Sequence, residues 1–91
     1  LFNRLPIQAL AEDLWQVTGM TNLRVLEEYF DVSLPDSPHV TVTGVIQERL
    51  QRLPVIGDAC QWGPLQMQVT EVTENGQILV NLRRPPVEDH P

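Results

Sequence analysis

At Gly57-Asp58 the apolar residues change their spacing, and that change restricts the fold more than any other feature of the chain. Upstream, apolar residues recur every three or four positions. Downstream, Leu65-Gln66-Met67-Gln68-Val69-Thr70 alternates strictly. The first spacing lines one face of a helix and the second lines one face of a strand. Helical and strand patterns in separate blocks point to an α+β domain with a mostly antiparallel sheet and two helices packed on it.

The first helix is expected over Thr21 to Phe30, with Leu23, Leu26, Tyr29 and Phe30 on one face, Val25 adjoining, and Thr21 as N-cap. Pro35 and Pro38 keep the following stretch out of it. A second helix is expected from Thr43 to Leu53, burying Val45, Ile46, Leu50 and Leu53 and stopped by Pro54. Leu14–Val17 reads as a short strand ahead of both. Ala59–Trp62 reads as a strand turning at Gly63-Pro64. The alternation slips phase at Val72, which implies a bulge. Asn75-Gly76 implies a type I′ hairpin, both of whose central residues take positive φ, leading to the strand Ile78–Leu82. The expected order is β-α-α-β-β-β. Residues 1–12 are expected to be a linker from an upstream domain, with a short helix as the alternative over Ile7–Leu10. The domain then occupies 13–84, and 85–91 form a disordered tail.

Ninety-one residues make one domain. Twelve acidic residues against six arginines give a net charge of −6, which repels a phosphate backbone and anionic lipid. Nucleic acid is therefore not an expected partner. Nor is direct membrane insertion, since no stretch approaches the roughly 20 apolar residues that a span needs. Cys60 stands alone, so no internal disulfide forms, which fits a reducing compartment. The chain lacks an initiator Met and is expected to be a piece of a longer protein.

Catalytic patterns are sparse. His39 and His90 have no Cys, His or carboxylate at ligand spacing, so no metal site is expected. Ser33 and Ser37 flank prolines, without the turn that presents a nucleophile. Glu27 and Glu28 diverge by about 100° on a helix and read as a solvated face. The weak candidates for cofactor binding are Thr41, Thr43 and Gly44, where a phosphate could approach the N-terminus of the second helix. Trp62, near a turn, and Arg83, at the end of the last strand, are candidate contacts for another domain.

The chain resembles the transporter-associated domain of the CorC/HlyC family. The resemblance is carried by Trp15-x-x-x-Gly19-x-Thr21, Leu23 and Leu26, Leu34-Pro35, Thr41-x-x-Gly44, Arg52-Leu53-Pro54, Gly57-Asp58, Val69-x-x-Val72 and Ile78 to Leu82. It departs from the pattern at Thr43, where relatives often have a smaller residue, and at Asn75-Gly76, where they often have Asp-Gly. The resemblance implies an FAD-binding/transporter-associated-domain-like fold, with no catalytic residues to carry over. It also implies a non-catalytic accessory or regulatory module on the cytoplasmic side of a membrane ion-transport protein, of the magnesium and cobalt efflux or hemolysin-like kind. Its partners would be upstream CBS and membrane domains of the same polypeptide, with a homodimer as a further expectation. The alternative is a small-ligand module for an adenine nucleotide or a flavin (FAD); a weak magnesium sensor ranks behind both.

Overall fold

A computed structural model describes residues 7–84. The elements run β1 (Ile7–Ala11), β2 (Leu14–Thr18), α1 (Leu23–Phe30), α2 (Val42–Leu50), β3 (Ala59–Trp62), β4 (Leu65–Val72) and β5 (Ile78–Arg83). The strands form one antiparallel sheet in the order β1-β2-β5-β4-β3, so β5 is central and β1 and β3 are the edges.

Ile7–Ala11 is a strand, where the sequence suggested a linker or short helix, and the order becomes β-β-α-α-β-β-β. Only Ile7 of this strand is buried, so no alternation betrays it. Pairing with β2 (Ile7 opposite Val17, Ala9 opposite Trp15) imposes the extended form on helix-compatible residues. Glu12-Asp13, expected to lie outside the domain or at its margin, makes the β1–β2 turn, with Asp13 at φ 62°. The tail and His90 lie outside the described residues.

One face of the sheet packs under both helices. Val17, Met67, Val69, Val80 and Leu82 point inward and join Leu23, Leu26, Phe30, Val42, Val45 and Ile46 in a single core. Trp15 on β2 meets Phe30 on α1 edge to face at 4.8 Å, while α2 lies over β3. The opposite face carries Gln16, Gln66, Gln68 and Asn81 at adjacent register positions. The expected bulge falls between Val69 and Glu71.

Asn22, and not Thr21, caps α1: its side-chain oxygen accepts from the Arg24 amide at 2.8 Å. Thr21 is instead buried, because Asn22 and Thr41 form an isolated antiparallel bridge that ties the two helix starts together. Across it Leu23 donates to Val40 and Val42 donates to Thr21. Helix α2 stops at Leu50, earlier than expected, because Gln51 turns left-handed (φ 61°). The β4–β5 turn also differs. Only Gly76 has positive φ, and Thr73 accepts from its amide at 2.9 Å and donates to Gln77 at 2.8 Å. This is a three-residue loop with a glycine bulge, not a type I′ turn.

Leu26 is fully buried at the centre of α1's inner face. Leu26→Ala is expected to destabilise the domain by about 2–5 kcal/mol through lost burial and a residual cavity, measured by urea unfolding.

Candidate functional site

The three residues proposed for phosphate binding do meet, at the start of α2, but for the purpose of folding. Thr41 is the N-cap, and its hydroxyl accepts from the Gly44 amide at 3.2 Å. The Val42 amide donates to Thr21, Thr43 to Gly19 and Val45 to Thr41. All four amides of this helix end are committed within the fold, so none of them is free to bind a phosphate. Gly44 is required by close approach, since a Cβ there would stand 2.8 Å from that of His39. His39 in turn reaches Glu48, Nε2 to Oε2 at 2.7 Å, and packs the 31–41 connection against α2.

Trp62 is not an exposed edge residue: it is 3% accessible. Strand parity explains the difference. Trp62 sits opposite the fully buried Leu65, so it points under the helices and Gln61 takes the outward position. Arg83 is exposed, opposite Leu14 on β2 and Gln66 on β4. It lines a shallow groove of about 370 Å³ on the open sheet face with Gln61, Gln68 and Asn81. At its floor the buried Oδ1 of Asn81 accepts no hydrogen bond.

Burial holds the Cys60 thiol above its ordinary pKa, with Asp58 acting in the same direction and Arg49 against it. Among the described residues no three of His, Cys, Asp and Glu gather to hold a metal ion. Glu27 is structural rather than part of a solvated face, its carboxylate accepting from the Leu34 amide at 3.0 Å.

The most distinctive surface follows α2. Arg52 donates two parallel hydrogen bonds to Asp58, Nη1 to Oδ2 and Nη2 to Oδ1, each 2.7 Å. The Val55 amide donates to Oδ2 of the same carboxylate at 2.7 Å, and the Asp58 amide donates back to Val55 at 3.1 Å. Gly57, at φ 95°, sends its amide to Val69 at 2.8 Å; the φ alone calls for glycine, because nothing would crowd a Cβ there. Within this clip Leu53, Val55 and Ile56 are 74%, 55% and 65% exposed, while Pro54 is buried. Sequence reasoning assigned Leu53 to the helix core and missed the surface. The available signal was Arg52-Leu53-Pro54 followed by Gly57-Asp58, whose charges pair only once the loop closes.

Comparison with known proteins gives a consistent result. Residues 8–86 match the transporter associated domain, CorC_HlyC. An inner membrane protein of Escherichia coli, YfjD, is 32% identical over 59 residues, which are 65% of this chain but only 14% of that protein. A transporter associated domain from a CBS domain protein of Porphyromonas gingivalis has TM-score 0.76 and 25% identity, covering 90% of this chain and all of that one. A region associated with a Mg2+ and Co2+ transporter of Neisseria meningitidis has TM-score 0.78 and 21% identity, covering 88% of this chain and 99% of that one. A hemolysin domain of Xylella fastidiosa, in complex with Mg++ and Mn++, has TM-score 0.77 and 13% identity, covering 90% and 100%. The last two likenesses show the fold.

The clip carries a pH signature. Hydrogen bonds from Arg52 and from the Val55 amide hold the Asp58 carboxyl down at about 2, below its ordinary value. In that interval the folded form binds fewer protons than the unfolded one, so acid favours unfolding. The contribution is complete above about pH 4 and is lost as pH falls toward 2. Thermal melts across this range are expected to show wild type losing its advantage over Asp58→Asn as the pH falls.

Proposed function

The chain belongs to the transporter-associated domain (CorC_HlyC) family, and from that premise we propose that it is a non-catalytic accessory domain of a membrane ion-transport protein, acting through contacts with other domains. The observation that carries this reading is proportion. The stretch related to this chain is 14% of an inner membrane protein, so a small module is attached to a much larger whole. Among the described residues no helix is long and apolar enough to cross a membrane, which leaves transport to other parts of such a protein.

The neighbours are membrane and CBS segments of the same polypeptide, the latter suggested by the CBS domain protein among the structural relatives. The cytoplasmic side suits a chain whose one cysteine has no partner within it. The cargo class is divalent cation, magnesium or cobalt, by analogy with the transporter-associated relative. The domain biases transport by favouring one arrangement of its neighbours, which requires contacts that differ between the two transport states. Its rigid apolar loop is suited to making them.

The test is deletion of residues 1–91 from the parent protein, followed by cation efflux from vesicles matched for inserted protein. A several-fold change in rate or cation dependence is expected. An unchanged profile with equal insertion would sink the accessory role.

A further inference from the structure

Two polar groups in the groove on the open sheet face have no partner, and the strand register sets them side by side. The groove, about 370 Å³, falls at the small end of ligand-sized cavities. Across β2, β5 and β4, Gln16, Asn81 and Gln68 form one row, and Leu14, Arg83 and Gln66 form the next. Asn81 stands on the central strand between Val80 and Leu82, which point into the core, so its own side chain points away from it. Its buried Oδ1 accepts no hydrogen bond. Such an unpaired acceptor costs stability, and packing under the helices gives no reason for an asparagine here. Arg83 is exposed, and among the described residues it pairs with no acid. It is also the one charged side chain among the described residues that line the groove.

We infer that this groove binds a small zwitterion, an amino acid whose amine stands several bonds from its carboxylate. The carboxylate lies on the Arg83 guanidinium beside the side-chain amide of Gln66, and both groups donate to it. The amine donates to the Asn81 oxygen. Residues two apart on a strand have Cα atoms about 6.6 Å apart, a span that suits a chain of several carbons between the two ends better than the single carbon of an α-amino acid. Leu14, half-buried along the groove, meets the methylenes between. Charge selects the same class. One arginine neutralises one carboxylate, and the net charge of −6 repels any further negative charge, which disfavours a dicarboxylate or a nucleotide phosphate. Because the Asn81 oxygen is buried, the ligand reaches it by displacing a neighbour. Gln68, opposite Asn81 and exposed, is the side chain that yields. The inference is independent of the transport reading, and failure of one leaves the other standing.

Amide NMR of the 91-residue chain tests it, following backbone and side-chain N–H signals as 4-aminobutanoate is added to about 20 mM, well above the roughly 1 mM dissociation constant expected of so open a site. Saturable shifts are expected at Asn81, Arg83, Gln66 and Gln68, and none in α1. Butanoate lacks the amine and butylammonium lacks the carboxylate; each should bind at least about tenfold more weakly, the loss of one charge-assisted hydrogen bond. Arg83→Gln should abolish saturation, whereas Arg24→Gln on α1 leaves it unchanged. Asn81→Leu should melt at a higher temperature, since the unpaired acceptor is gone, and bind 4-aminobutanoate no better than butanoate. A merely structural asparagine would not couple gained stability to lost discrimination. A titration without saturable shifts overturns the inference. So does saturation that survives Arg83→Gln, or equal affinity for 4-aminobutanoate and butanoate. Should Asn81→Leu prove unfolded, the three probes and Arg83→Gln still decide.

Discussion

Two parallel hydrogen bonds from Arg52 to Asp58 fix how the helical layer joins the sheet. Helix α2 ends at Leu50 and β3 starts at Ala59, so the segment between them sets where α2 lies over the sheet. Asp58 belongs to both layers: its carboxylate takes Arg52 and its carbonyl accepts from Val69 on β4 at 2.8 Å. An ion pair this exposed contributes little by attraction alone. Its effect is geometric. A planar guanidinium fork holds a carboxylate in one orientation, and that orientation also engages the Val55 amide. The same carboxylate thus ties Arg52 and Val55 to Asp58, and from the loop so closed Leu53, Val55 and Ile56 project into solvent.

Much of the fold was legible because the deciding signals were local. Alternation along β4, the change of period at Gly57-Asp58 and the phase slip before Val72 all reappear as elements of the structure. What could not be read was set by contacts between distant segments. β1 has one inward residue and is a strand because β2 lies beside it. Thr21 and Asn22 are both competent caps; the bridge to Thr41 buries the first and leaves the second to cap. Leu53 continues the apolar face of α2 on paper, yet Gln51 turns left-handed two residues earlier and carries it outward.

The candidate site shows the same division. The Thr41-x-x-Gly44 pattern was visible, but its purpose lies in the N-cap and in the approach of His39 from another segment. Trp62 needed only strand parity, with Leu65 opposite, to be placed inside. The Arg52-Leu53-Pro54 and Gly57-Asp58 pieces of the family resemblance were legible as letters. Their meaning, a clip that keeps an apolar loop in solvent, depends on a pairing that spacing alone does not reveal.

Amide hydrogen exchange, residue by residue, tests the clip most directly. In the wild type the Val55, Gly57 and Asp58 amides should be protected, each donating within the clip or to β4. In Arg52→Ala, Val55 and Asp58 should exchange near the rate of unstructured amides, while Val80 and Leu82 in the central strand keep their protection. Equal protection of Val55 and Asp58 in both proteins would contradict the account, because the loop would then hold its shape without the arginine.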